Sequence, residues 1–496
     1  MKKILSNGSA AIFAQIVTII YGFVLPRLII EQYGSDANGL TQSIKQFLGV
    51  ISFLDMGVGQ VVRSALYDPL SRKDRAQISR IMASGKKYYR LIAYILLGYV
   101  ALLLAVYPFL VKHNFGWLYT TSMIGVMAIS SFAQYYFGII NEQLLHADQK
   151  SYIIYLIQVL TNVVNLIVCV WMMRIGASIH MIKLITSLVF LIKPLIYSIY
   201  IQRHYQIDNK IIYTEEPIKQ KWNGVTQHIS AVVLDGTDNI VLTFFSTLAN
   251  VSIYSVYYMV IGSIQGFYQS AITGIQSAAG AMWAKQDFSK IKQMFFTVEF
   301  ALHAATIFLF SCTGILIVPF IRVYTNGLSD ANYIQPIFAA LLVLAYGIRS
   351  LRTPYNIWIL AAGHFKQTQR CHITAVVLNL TISIFAVSRY GLVGIAVGTL
   401  IAMCYQTTWM AVYTVQNLVN CTASHVLKRC VADSVIALAI YLTTSWIPLR
   451  EISYLGWFCM AVKTGVIALL TVAVLSFLFY PSQIRELGAV INKNKD

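Results

Sequence analysis

Residues 333–366 read YIQPIFAALLVLAYGIRSLRTPYNIWILAAGHFK. The run is apolar over about the 20 residues that a helix needs to cross a bilayer, yet it carries Arg349 and Arg352 near its middle and Pro354 just behind them. An arginine at that depth costs roughly 2.5–3.5 kcal/mol even on the lenient insertion scale. A chain that keeps two must set water, a resident acid or an anionic substrate against them. The stretch places the protein among helical membrane proteins and makes its function a question of what meets this pair.

The rest of the chain extends that reading. Of its 496 residues 57% are hydrophobic and only 11% charged, with a mean hydropathy of +0.66. Apolar runs of about 20 residues recur throughout, which describes a polytopic helical bundle; barrel strands would show alternating segments of about 10 residues. Lys2 and Lys3 precede an apolar run that continues without a small-residue cleavage site, so it reads as a retained first helix. The formal charge of +18 does not indicate nucleic acid, because the basic residues are not gathered on one solvated, aromatic-interleaved face. The seven cysteines stand singly, mostly in apolar runs, and indicate neither a disulfide framework nor a metal site.

Polar and Gly/Pro breaks divide the chain into about 14 predicted spans, near 9–31, 40–66, 88–111, 117–141, 152–173, 177–201, 223–246, 251–276, 294–321, 332–362, 371–388, 391–416, 431–449 and 455–480. With the N-terminus cytoplasmic, about 24 Lys and Arg fall inside, about 5 outside and about 8 within spans. That asymmetry sets both termini in the cytoplasm. The expected organisation is an N-lobe of six helices (1–201), a cytoplasmic linker of mixed charge (202–222), a C-lobe of six helices (223–416), and two terminal helices with a tail (417–496). A shift of roughly 212 positions lays Ala37-Asn38 on Ala249-Asn250 and Lys73 on Lys285; a slightly larger one lays Arg174-Ile175-Gly176 on Arg389-Tyr390-Gly391. Six intervening helices give the copies the same orientation, and hence a pseudo-symmetry axis along the membrane normal.

Charged residues inside spans mark function by default. Arg349 and Arg352 share one helix face, and two guanidinium forks a turn apart suit a multi-oxygen anion such as diphosphate; structural salt bridges are the competing reading. Lys183 and Lys193, ten positions and about 15 Å apart along one helix, suit a cationic ladder, against snorkelling to the surface. Arg27 joins this anion-binding set, with Glu31 as an alternative partner. Asp235 and Asp238 are candidate counter-ions or sites of proton or Na⁺ coupling, and Asp55 with Arg63 a further candidate pair. Glu299 and His303, i,i+4, suit a proton relay or an ion pair. The sequence indicates no catalytic residue, cofactor or metal ligand. It contains no P-loop, H-E-x-x-H or G-x-S-x-G, and no outer loop long enough for a catalytic domain.

Four segments, LPRLIIEQYGSDANGL with Pro26, Arg27, Gly34 and Gly39, FLDMGVGQVVRSALY with Asp55, Gly57 and Arg63, TDNIVLTFFSTLANVSIYSVY with Asp238, Ser252 and Tyr254, and LRTPYNIWILAAGHFKQT with Arg352, Pro354, Gly363 and Lys366, resemble the polysaccharide flippases. These belong to the multidrug/oligosaccharidyl-lipid/polysaccharide exporter superfamily. The resemblance implies transfer of undecaprenyl-diphosphate-linked oligosaccharide across the bacterial cytoplasmic membrane through a cationic cavity, by alternating access, for capsule or O-antigen assembly. It also implies membrane lipids, a polymerase and other assembly proteins as partners. The lipid II flippases of the superfamily carry an Arg-Asp pair in the first helix where this chain reads Leu25-Pro26, so a peptidoglycan precursor is not implied. The alternatives are a cation-coupled small-molecule antiporter of the same superfamily, which predicts an acid-rich cavity, and an embedded glycosyltransferase or polymerase.

Overall fold

The computed structural model describes residues 2–55, 58–111, 115–208, 211, 213, 216–217 and 225–486; within these, the side chains at 2–6, 225–232, 235, 270–271, 273–274, 277, 281 and 284 are not described. The Asp235 side chain, Gly57 and most of the 202–222 linker, all named above from the sequence, thus lie outside the described residues. Every regular element among the described residues is helical: α1 (Lys2–Tyr33), α2 (Ser35–Gly49), a 3₁₀ turn (Val50–Asp55), α3 (Val58–Arg72), α4 (Arg75–Leu110), α5 (Trp117–Ala133), a π turn (Gln134–Gly138), α6 (Ile139–Ala147), α7 (Ser151–Arg174), α8 (Ile179–His204), α9 (Val225–Phe245), α10 (Leu248–Ala284), α11 (Phe288–Tyr324), α12 (Pro336–Leu351), α13 (Thr353–Ala361), α14 (Phe365–Tyr390), α15 (Leu392–Asn417), α16 (Ser424–Thr444) and α17 (Tyr454–Phe479). Ten helical segments among the described residues are long and apolar enough to cross a membrane, and the bent pair Ser35–Asp55 and Val58–Arg72 makes an eleventh. The protein is a multi-pass helical membrane protein.

Three spans expected as continuous helices are interrupted. The 40–66 span is broken after Asp55, the 117–141 span contains the π turn, and the 332–362 span breaks at Arg352. The last has a direct cause. Pro354 has no N–H for the Ser350 carbonyl and its ring disfavours an uninterrupted helix. The Tyr268 hydroxyl stands 3.5 Å from that carbonyl, and His303 Nε2 donates to the Leu351 carbonyl at 3.0 Å. Side chains of α10 and α11 thus serve the backbone groups at the break, as a non-aqueous surrounding demands.

The chain forms two compact units, Met1–Ser252 and Ile253–Asp496. The division falls inside α10 and not in the 202–222 linker, because α9 packs on α2 of the first unit. There Asn38 donates to Ser252 Oγ at 2.8 Å, and the Ser43 and Thr243 hydroxyls meet at 2.6 Å. Gly39 is what permits the approach. A Cβ there would sit 1.9 Å from the Leu248 carbonyl oxygen. On the other side of the unit α1 lies along α7 through a polar stripe: Asn7 to the Gln149 carbonyl, Gln158 to Thr18, Asn165 to Tyr21 and Gln32 to the Met173 carbonyl. Asn7 to Thr18 and Tyr21 to Gln32 are both eleven positions apart, which is three helical turns, so one face carries every contact. Such bonds average about 0.6 kcal/mol each in a membrane and align helices more than they stabilise them. In the second unit α14 and α15 approach over Gly394 and Gly398, whose added Cβ atoms would lie 2.4 Å from the Ala386 carbonyl and 2.2 Å from Ser383 Oγ. The terminal helices α16 and α17 close onto α11 through Ile307, Ile436, Ile440, Ala468 and Val472.

The repeat seen in the sequence returns in the backbone. Left-handed residues occur at Lys73, Gln149 and Gly176 in the first unit and at Gln286, Gly363 and Gly391 in the second; the offsets are 286 − 73 = 213, 363 − 149 = 214 and 391 − 176 = 215. The first pair is followed in each unit by an aspartate cap, Asp74 accepting from the Gln77 amide and Asp287 from the Lys290 amide. The break in the fourth span also recurs, the π turn ending at Gly138 and the interruption at Arg352.

Candidate functional site

Each unit encloses ionisable side chains, and in each some bases are accompanied by acids. In the first unit Arg27 pairs with Glu31 at 3.6 Å, one turn along α1. Lys193 on α8 lies near the Phe190 ring, 5.9 Å from its centroid, and within electrostatic range of Glu142 on α6. Arg63 does not meet Asp55 as expected. It donates from Nε and Nη2 to Gln143 Oε1 at 3.1 and 2.9 Å, while Asp55 accepts from the Tyr89 hydroxyl at 2.6 Å. The reason is the break after Asp55, which separates the two side chains onto different elements.

Lys183 stands apart. It is buried, 8% exposed, and so does not snorkel to the surface. Among the described residues the ionisable groups within its electrostatic range are the Cys169 thiol and another lysine, Lys45 of α2. Lys45 lies ten residues into α2 and hence about 15 Å from its start, a solvent-exposed position between buried Ser43, Ile44, Phe47 and Leu48. Among the described residues neither amine has a hydrogen bond or ion pair. Lys45 was missed in the sequence although the signal was present, a lysine inside the predicted 40–66 span.

In the second unit Arg349 is half-buried over the Tyr346 ring, 5.7 Å from its centroid. Arg352 occupies the α12–α13 break, within electrostatic range of Cys371 and His372 on α14. The expected counter-ion Asp238 is 1% exposed and belongs to α9 of the first unit.

Glu299 and His303 do not pair with each other; each is taken up by residues of α13 and α16. Glu299 accepts from the Tyr355 hydroxyl at 2.7 Å and faces His425 Nε2 at 2.8 Å. His303 Nδ1 lies 2.5 Å from Asp433 Oδ2, and Arg429 reaches Asp433 at 3.3 Å with its guanidinium 4.2 Å from the centre of the Tyr480 ring. His303 Nε2 donates to the Leu351 carbonyl while Nδ1 also lies 3.2 Å from Arg429 Nε, so the ring joins Asp433, Arg429 and the α12 backbone in one network. Asp433 lay inside the predicted 431–449 span but was not singled out, and Arg429 fell just before it because α16 begins at Ser424. In this cluster acids accompany the bases, and the arrangement ties α16 to α11.

No protein family matches the sequence, and no curated protein matches it. Solved structures do. The chain is similar to the lipid II flippase MurJ in an inward closed conformation, at 16% identity over 96% of this chain and 99% of that one, with a TM-score of 0.69. It is similar to an inward-facing multidrug resistance MATE family transporter of the MOP superfamily, at 14% identity over 81% and 93%, TM-score 0.56. It is also similar to a MOP superfamily transporter from Pyrococcus furiosus Vc1 described by the reverse polarity of its binding pocket, at 12% identity over 84% and 96%, TM-score 0.59. The chain has the fold of these transporters. What they share with it at such identities is the architecture.

Proposed function

We propose that the protein is a flippase that carries undecaprenyl-diphosphate-linked oligosaccharide units across the bacterial cytoplasmic membrane by alternating access, for capsule or O-antigen assembly. One observation carries the reading: Lys45 and Lys183 lie within electrostatic range of one another in the first unit, with no acid paired to either among the described residues. An ammonium group drawn from water into a protein interior, as that of Lys183 is, costs several kcal/mol unless an anion compensates, and a second ammonium within range adds to the cost. A diphosphate supplies two charges and several acceptor oxygens on a lipid too polar at its head to cross unaided. Lys183 and Lys45 are the first-choice ligands, Arg349 and Arg352 a second cationic set, and Arg27 and Lys193, already matched with Glu31 and Glu142, rank behind them. In this reading the protein is a transporter and assigns no residue to bond chemistry. Joining α2 with α3, α5 with α6 and α12 with α13 reduces 17 helices to 17 − 3 = 14 spans, with both termini cytoplasmic. A proton or Na⁺ drives the cycle, with Asp238 as its carrier, and a polymerase and other assembly proteins receive the product.

The test is the pair K45Q/K183Q. Surface polysaccharide falls to background with protein abundance unchanged, and K45R/K183R retains output; full output from the glutamine pair rejects the site. A second reading, cation-coupled antiport of small molecules, is favoured by the likeness to MATE transporters and by buried Asp238. It predicts that Asp238→Asn removes efflux of cationic dyes while surface polysaccharide persists.

A further inference from the structure

At the basic end of the first unit, away from Lys45 and Lys183, α4, α6 and α8 enclose a groove of about 1320 Å³. Its base carries Lys86, Lys87 and Arg90, about three to four turns into α4, just before that helix becomes apolar. The Arg90 guanidinium lies over the Tyr136 ring, 4.9 Å from its centroid, and Tyr94 meets the same ring edge-on at 6.0 Å. The rim is apolar: Leu91, Tyr94 and Leu195 are each more than half exposed on what becomes the lipid-facing side of the helices. Among the described residues one acid lines the groove, and it comes from the chain beyond α8. Glu216 accepts a short hydrogen bond from the hydroxyl of buried Ser84. The chain leaving α8 is laid against α4 on its way there, with the Asp208 amide donating to Ser79 Oγ at 3.1 Å and Arg75 hydrogen-bonded to Gln206.

We propose that this groove binds the phosphate headgroup of an anionic membrane lipid, with Glu216 as the chain's own competing acid. Three cations in one turn, an aromatic wall and an apolar rim match an amphiphile whose phosphate meets the lysines while its acyl chains follow Leu91 and Leu195. A soluble anion has no use for the rim. Glu216 shows that the groove accepts a carboxylate; a lipid phosphodiester, with the same single charge but more acceptor oxygens and acyl chains for the rim, displaces it. The site is independent of the transported substrate.

The experiment is native mass spectrometry of the purified full chain, titrated with phosphatidylglycerol or phosphatidylcholine. Wild type retains phosphatidylglycerol preferentially. Near a membrane surface each basic residue is worth about fivefold in affinity for anionic lipid, so K86Q/K87Q/R90Q weakens retention by about 100-fold and Glu216→Gln strengthens it by about fivefold. The charge-matched variant K292Q/K366Q/R370Q, neutralised at exposed positions elsewhere, retains the lipid as wild type does. Equal retention of both lipids by wild type overturns the proposal, as does an equal loss in the control variant. Displacement of the lipid by an equal concentration of inorganic phosphate also overturns it, in favour of a soluble anion.

Discussion

Asp433→Asn is the substitution whose cost the structure specifies most fully. Asp433 is 5% exposed and stands between Arg429, 4% exposed, and His303, 3% exposed. Its Oδ2 lies 2.5 Å from His303 Nδ1 and its Oδ1 3.3 Å from Arg429 Nε. Removing the charge but keeping the shape leaves the guanidinium buried with Tyr480 and the Phe300 carbonyl as its neighbours. Breaking a buried pair from one side costs about 3–5 kcal/mol, or roughly a 10²- to 4 × 10³-fold shift in the unfolding equilibrium. Reversible unfolding of purified protein in mixed detergent–SDS micelles measures it. A cycle with His303→Gln should return a coupling of about 0.5–3 kcal/mol, as groups in one network do. An Asp433→Asn protein that unfolds within about twofold of wild type refutes the reasoning, for the carboxylate would then be neutral or dispensable where it is the only acid in contact with Arg429 among the described residues.

Gly39→Ala forces a Cβ to within 1.9 Å of the Leu248 carbonyl, and overpacking of this kind costs about 1–3 kcal/mol or more; the same SDS titration should show it, whereas Gly22→Ala, with nothing within 4 Å of its added Cβ, should be silent. Asp287 caps α11, and its hydrogen bonds, first that with the Lys290 side chain, lower its pKa to about 2. Because the folded value lies below the unfolded one, near 3.9, the cap is present in full above about pH 4 and is lost as the pH falls through about 2; amide exchange in the first turn of α11 should quicken over that window in wild type and be fast at every pH in Asp287→Ala. Charge reversal of Arg349 and Arg352 together should lower surface polysaccharide without lowering protein level, measured beside K45Q/K183Q.

The fold was readable in outline because a bilayer leaves few options. Apolar length marked the spans, and the turns at Gly176 and Gly391 kept enough sequence to betray the repeat. The interruptions were harder, since the π turn at Gln134–Gly138 has no residue that demands it, while the break at Arg352 has its cause in Pro354, which lies within a run read as one span. Partners were least readable of all. Arg63 finds Gln143 and not Asp55, and Glu299 finds Tyr355 and His425 and not His303, because helix rotation and translation decide which side chains meet and no spacing within one helix contains that information. Lys45 shows the opposite error, a visible signal outweighed by more conspicuous arginines.

The central claim is that cations without resident acids hold a lipid diphosphate, and it is tested most directly on purified protein in vesicles. The substrate is undecaprenyl-diphosphate-linked disaccharide, and arrival at the outer leaflet is followed by a sugar oxidase that cannot cross the membrane. Wild-type vesicles should expose the inner-leaflet pool, K45R/K183R vesicles should do so more slowly, and K45Q/K183Q vesicles should match protein-free ones. Exposure by K45Q/K183Q at the wild-type rate contradicts the account.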